Sequence, residues 1–410
     1  MQWQSLGFNA DPLSTDPIFR ETLKLYTGHQ NEINICLNVL SEGNRRVVVE
    51  GARGVGTTSF SNFIRFSLQE KKLFFTPRNE IRVDAGWQIE TLLSVIVANI
   101  VREIELFGSE TINKDKRFQN AKALSARIAE TYRSFGVDAF GVGLNYGKNA
   151  GIVTQPILVP AAVLGHHLED LVSLIQSAGY KKGIIIQLNN LDVGEVHDET
   201  HLKYLFNALR DYSQTNGVSW LFVGDVGLRK FIAQQVDRLD DIISFEVKIG
   251  SLSKEEFKDL ILKRVEFYRS NLKAEMPIEM DVFLYLFDIT MGRLRYIFGL
   301  LARLLPSLHV GDLTDRITLD IAKSMLMKLA RARIERNDIT PAEEQILKIV
   351  VYKKECIIVE IAKEVKKSTQ YVGKVLNKLF EAKLVKTRKH GKSKYYSPSL
   401  DAVIAYTDLE

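Results

Sequence analysis

Apolar and polar positions change their period several times along the chain. An unbroken apolar run, Val47 to Val49, passes into a glycine-rich turn and then into apolar residues at helical spacing, Phe60, Phe63 and Ile64. That sequence of periods predicts a buried strand, a loop and a helix over 57–70. Similar apolar runs predict strands over Glu80–Asp84, 183–188 and Ser219–Val223, with helices from about Ile89 to Leu106 and near 200–214. Strands alternating with helices predict an α/β fold, a parallel sheet covered on both faces.

After Phe245 the pattern is helical throughout. Ser253 followed by Glu256 forms a capping box at one helix start, and further helices are expected over 278–289, 293–304 and 319–335, a helical lid behind the sheet. Thr340 as N-cap with Pro341 in the first helical position marks another boundary. Beyond it the pattern is that of a winged helix-turn-helix, with helices over Pro341–Lys353, Val359–Val365 and Thr369–Ala382, then two strands flanking a basic tip around Gly391. The divisions expected are 1–245 for the sheet domain, 246–336 for the lid and 337–410 for the winged helix. Between the second helix and the Ile184 strand, residues 134–153 alternate apolar and small side chains and read as a glycine-rich β-hairpin, either a projecting contact or a packed surface ribbon.

Charge separates the last domain from the rest. Residues 340–396 hold 14 Lys and Arg against 6 Asp and Glu, a net of +8, whereas the whole chain carries +5, leaving the remainder near −3. Cationic charge gathered on one small domain is the footprint of a phosphate-backbone partner. The third helix offers Thr369, Gln370, Tyr371, Lys374 and Lys378 to a DNA groove, with no strong acid on its exposed face. The wing offers Lys386, Arg388, Lys389, Lys392 and Lys394 to neighbouring phosphates. A winged helix serving protein contacts alone remains the other reading.

Chemistry in the sheet domain centres on the turn after Val49. Gly51, Gly56 and Thr58 satisfy the spacing of a phosphate-binding loop, G-x-x-x-x-G-x-[ST], and Gly54 adds a flexible point where amides wrap phosphate oxygens. Arg53, Val55 and Ser59 complete the loop. Thr57 stands where a lysine ordinarily reaches the β and γ phosphates, so the cradle persists without its mobile charge. At the end of the 183–188 strand, Asn189 and Asn190 occupy the positions of a metal-holding Asp and a water-polarising Glu. An amide carries neither charge for the metal nor basicity for the water. ATP or ADP is therefore expected to bind with weak dependence on Mg²⁺, with no catalytic residue and little or no hydrolysis.

Composition adds limits. At 410 residues, 46% hydrophobic and 26% charged, the chain has the balance of two or three globular domains. Its apolar segments, such as Leu92 to Val101, are too short to span a bilayer, and the N-terminus lacks a signal layout, so no membrane association and a cytoplasmic location are expected. Cys36 and Cys356 lie far apart in apolar patterns read as helical, and are expected to be buried free thiols.

The order of these elements resembles the initiator-type AAA+ ATPases, the archaeal origin-recognition class and its bacterial relatives, over nearly the whole chain. Tyr26-Thr-Gly28-His29-Gln-Asn-Glu32 resembles that family's adenine-proximal box, with His29 where an arginine is usual. Leu221-Phe-Val-Gly224-Asp225 stands where its first sensor strand ends. Met291-Gly292-Arg293-Leu294-Arg295 resembles its second sensor, which implies that Arg295 reaches the γ-phosphate, and Arg238 falls where a subunit-bridging arginine would lie. The resemblance implies a DNA-binding, oligomeric protein, homo- or hetero-oligomeric, in which the changes at Thr57, Asn189 and Asn190 make a pseudo-ATPase. Two alternatives stand beside it. One is a slow ATPase that remodels a protein partner, with Arg53 or a second subunit supplying the missing charge. The other is a transcriptional regulator or a component of a mobile-element or antiviral defence system, with a scaffolding module.

Overall fold

The computed structural model describes residues 3–108, 110–134, 159–193, 198–271, 273–305, 316–390 and 393–406. They form two compact units, residues 16–252 and residues 1–15 with 253–410. The expected hairpin at 134–153 lies outside the described residues, apart from Ser134, which ends a helix.

In the first unit, helix α1 (Gln30–Ser41) leads to strand β1 (Arg46–Gly51) and helix α2 (Thr57–Glu70). Strand β2 is short, Ile81–Arg82. It is followed by α3 (Ile89–Phe107), α4 (Glu110–Lys114), α5 (Lys116–Ser134) and α6 (Ala161–Ser177). Strand β3 (Ile184–Asn189), α7 (Glu199–Tyr212), β4 (Val218–Gly224), α8 (Leu228–Gln235), α9 (Asp237–Asp240) and β5 (Phe245–Ile249) complete it. All neighbouring strands pair in parallel, in the order β2-β3-β4-β1-β5.

Burial follows the period of two. Ile184, Ile186 and Leu188 of β3 and Trp220 and Phe222 of β4 join a core with α3, α5, α6 and α7, whereas Ile185, Leu221, Val47 and Val49 pack the other face with α1 and α2. Both faces are covered, which is why these strands read as continuous apolar runs. Strand β1 stands out of sequence between β4 and β5, so the β1–α2 loop emerges at the break in strand order, where open α/β sheets characteristically bind ligands.

In the second unit the first residues are held by Phe8, fully buried and bridged to Arg269, and by the buried Arg264, which donates to the carbonyls of Pro12 and Ser14. Helices α10 (Lys254–Tyr268), α11 (Met280–Ile289), α12 (Leu294–Leu304) and α13 (Leu319–Glu335) follow. The winged helix comprises α14 (Pro341–Lys353), β6 (Cys356–Ile357), α15 (Ile358–Val365), α16 (Thr369–Glu381), β7 (Val385–His390), β8 (Ser393–Pro398) and α17 (Leu400–Tyr406). Its sheet order is β6-β8-β7, antiparallel throughout.

Both cysteines are buried free thiols. Cys356, however, lies in a strand paired with Tyr396 rather than in a helix, because that pairing partner arrives forty residues later in the chain. Among the described residues no helix is long and apolar enough to cross a membrane.

Candidate nucleotide loop and nucleic-acid interface

The β1–α2 loop is shaped by its glycines. A side chain at Gly51 would meet the Ile249 carbonyl at 2.5 Å, so β5 closes on the loop only with glycine there. Gly54 and Gly56 take φ of 93° and 108°, backbone that side-chain-bearing residues rarely adopt. Val55 tucks into the core at 4% exposure, and its amide closes a turn onto the Ala52 carbonyl at 3.1 Å. The loop thus enters α2 with the helix's first amides directed outward, as helix geometry requires. Arg53 is exposed. Ser59 faces elsewhere, its hydroxyl accepting from the Ile18 amide at 3.2 Å.

The metal position has different chemistry. Asn189 Nδ2 donates to the Thr58 hydroxyl at 3.1 Å, and Asn189 Oδ1 accepts from Gln187 Nε2 at 2.9 Å. The two side chains that would face a cation are therefore bonded to each other through an amide N–H, the wrong polarity for Mg²⁺. Asn190 adopts a left-handed backbone, φ 68°, and its amide donates to the Val83 carbonyl at 3.2 Å. In this arrangement the loop presents amide N–H groups, and Asn189 presents an amide N–H rather than a carboxylate to Thr58. Among the described residues no three His, Cys, Asp or Glu side chains are grouped to hold a metal.

Around the loop, sequence reasoning missed two features. Glu50, one residue before Gly51 and 4% exposed, accepts from the amides of Gly227 at 3.2 Å and Arg229 at 3.1 Å. It thereby caps α8 and ties the loop's strand to the turn after β4. Further along α2, the fully buried Arg65 donates to Asn62 Oδ1, Thr76 Oγ1 and the carbonyls of Pro77 and Arg78, and lies over the Phe66 ring. Burial pulls its guanidinium down to about 9, opposed by Glu80 and Glu103. Burial also raises the Glu103 carboxyl, against hydrogen bonds from Arg78 and Arg20. The adenine-box residues meet as a group: His29 donates from Nε2 to the Gly250 carbonyl at 3.0 Å, its Nδ1 lies 3.2 Å from the Tyr26 hydroxyl, and Tyr26 stacks on Phe63. Arg238 pairs with Asp211 in its own chain at 3.3 Å. In the second unit, Arg295 is exposed in the first turn of α12.

In the winged helix, Ser368 caps α16 by accepting from the Tyr371 amide at 3.2 Å. Thr369, Gln370, Tyr371 and Lys374 are exposed on it, as is Asn377, which sequence reasoning passed over although it follows Gln370 by seven residues. Lys378 is engaged within the fold, donating to both carboxylate oxygens of Glu343 and to the Asp338 carbonyl. The face is not free of acids either, because Glu381 is exposed in the last turn.

On the wing, Lys386 is exposed with its ammonium 5.6 Å from the Tyr296 ring, and Arg388 forks onto Glu355 at 3.2 and 3.1 Å. Lys394 is half-buried against Phe380 and Tyr396. Lys389 pairs with Lys394 in the strand register; Lys392 lies outside the described residues.

Comparison with known proteins bears on this domain first. Residues 339–407 match the family model described as penicillinase repressor. Over 403 residues the chain is 21% identical to a protein of Methanocaldococcus jannaschii described as an uncharacterized HTH-type transcriptional regulator, covering 96% of this chain and 91% of that one. Among solved structures, the chain is similar to the ORC2 protein of Aeropyrum pernix (13% identity, 98% and 97% of the two chains covered, TM-score 0.48). It is also similar to a Walker-type ATPase of Pyrococcus abyssi (14% identity, 96% and 99% covered, TM-score 0.47) and to the ORC1 protein of Aeropyrum pernix in complex with DNA (14% identity, 93% of each, TM-score 0.43). At these scores the likenesses assign nothing to individual residues of this chain.

Proposed function

We propose that the chain is a DNA-binding protein whose C-terminal winged helix holds duplex DNA and whose sheet unit holds ATP or ADP without turning it over. The observation that carries the reading is the exposed polar face of α16 beside a basic wing, on a segment with net charge +8. In the sheet unit, the amides of Gly54, Gly56, Thr57 and Thr58 would hold the phosphates, with the dipole of α2 supplying the positive end. A bound nucleotide supplies a polyanionic ligand there. The chain's own groups keep it intact: Asn189 occupies Thr58, Asn190 is tied to Val83, and neither amide accepts a proton from water. Of the cellular roles for such a protein, transcriptional regulation is favoured by the Methanocaldococcus jannaschii relative's description.

The test is fluorescence anisotropy of the full chain with labelled duplex across a salt series, with and without ADP. Binding should weaken steeply with salt, because each neutralised phosphate releases about 0.9 counterion. Absence of salt-dependent binding would reject the DNA reading.

A further inference from the structure

The lid helix α12 is fastened to the winged helix at both of its ends. At its last turn Arg303 donates to Asp401 of α17 at 3.1 Å, and Arg333 of α13 takes the other carboxylate oxygen at 2.6 Å. At its first turn the Tyr296 ring lies 5.6 Å from the Lys386 ammonium of β7 and 5.8 Å from the Arg293 guanidinium. From Tyr296 to Arg303 the helix rises about 10 Å, so the two fastenings hold most of its length against the winged domain.

The cations at the first turn differ from those elsewhere on the same elements. Arg303 on α12 and Arg388 on β7 each hold a carboxylate, Asp401 and Glu355. Arg293, Arg295 and Lys386 pair with no carboxylate among the described residues, and Arg295 and Lys386 are exposed. Helix α12 contains no acid at all, and its N-cap residue, Arg293, makes no side-chain cap. Two arginines therefore stand at the positive end of a helix dipole, and two cations share one ring. Both juxtapositions cost stability in the free chain, and an anion placed among them relieves both.

Resting on the DNA-binding reading above, we infer that Arg293 and Arg295 of the lid, with Lys386 of the wing, hold the phosphate backbone of the same duplex outside the winged helix. Duplex DNA is the occupant because the patch continues the basic wing: Lys386 and Arg388 stand two apart on the exposed face of β7, and Tyr296 carries that surface onto α12. The lid is then part of the DNA footprint rather than a spacer behind it. Contacts of this kind set affinity and orientation and carry no sequence choice.

The full chain is titrated with labelled duplex across a salt series, and its affinity for ADP is measured in parallel. Arg293→Gln with Arg295→Gln should weaken duplex binding roughly tenfold or more and reduce the salt slope by about 1.8, two phosphates at about 0.9 each. Arg293→Lys with Arg295→Lys should keep the slope, because counterion release follows charge. The Gln pair should melt no lower than wild type, since it removes like-charge repulsion. Arg295→Gln alone, at an exposed side chain, guards against a folding defect and should lower the slope by about 0.9. A wild-type chain with a steep salt slope that both Gln variants retain overturns the inference and leaves the DNA-binding reading standing. Loss of ADP affinity with an unchanged duplex slope also overturns it and assigns the arginines to the nucleotide. A wild-type chain without salt-dependent duplex binding fails both readings.

Discussion

Lys378 on α16 donates to both carboxylate oxygens of Glu343 on α14, at 3.0 and 2.7 Å, and the same Glu343 completes the capping box with Thr340. Helix α16 is thus fastened to the helix that opens the winged domain. Glu343 is only 12% exposed, while Lys378 is 44% exposed, so the pair is worth about 1 kcal/mol, the upper end for partly solvated pairs. Lys378→Ala should lower the melting midpoint of this domain and leave the salt slope of DNA binding unchanged. A slope reduced by about one unit would return Lys378 to the phosphate contacts.

The nucleotide site makes a separate prediction. ADP should bind with nearly the same affinity in EDTA as in Mg²⁺, measured by calorimetry, because Asn189 offers Thr58 an amide proton where a cation would sit. Thr57→Lys should tighten ATP binding without raising turnover above background, since both acidic positions remain amides. Steady turnover by pure protein, abolished by Asn190→Ala, would contradict this.

For the wing, a charge reversal should leave Arg388 in place, because its fork onto Glu355 would become a like-charge pair. Lys389→Glu with Lys392→Glu should instead cut duplex affinity by roughly tenfold or more and reduce the salt slope by about 1.8, two phosphate contacts at about 0.9 each. An unchanged titration curve would assign the wing to protein contacts.

Arg65 anchors a buried network that the DNA and nucleotide readings do not use. Arg65→Met should destabilise the sheet unit by about 3 kcal/mol in denaturant unfolding, because it strands Asn62, Thr76 and the carbonyls of Pro77 and Arg78. A loss below about 1 kcal/mol would mean that water replaces the guanidinium there.

Burial pushes the Cys36 thiol up from 9.0 to about 12. In the folded chain it should resist thiol reagents at pH 8 and react on unfolding. The raised value also fixes the sign of a pH effect. The neutral thiol favours the folded state fully below pH 9.0, and that contribution is lost between pH 9.0 and about 12 as the unfolded thiol ionises first. Cys36→Ala should flatten the alkaline fall in stability, followed by thermal melts across that window.

Local signals made much of the chain legible. Thr340 and Pro341 mark a helix start that the structure places at Pro341, and Ser253 with Glu256 forms the expected capping box, because caps involve residues three apart. The strand, loop and helix around Gly51 were readable for the same reason: hydrophobic period and glycine spacing are properties of contiguous residues. Even the chemical losses at Thr57, Asn189 and Asn190 are properties of residue identity.

Only the tertiary structure decided which groups those residues face. It bonded Asn189 to Thr58, 131 positions away, and brought the amides of Gly227 and Arg229 to Glu50. It put Cys356 in a strand because Tyr396 returned beside it, and it engaged the exposed Lys378 by presenting Glu343. Period and spacing specify what a segment becomes, since they act through neighbouring backbone bonds. Partners across the fold are set by how the segments pack, and a side chain's function changes when a distant charge or carbonyl satisfies it first.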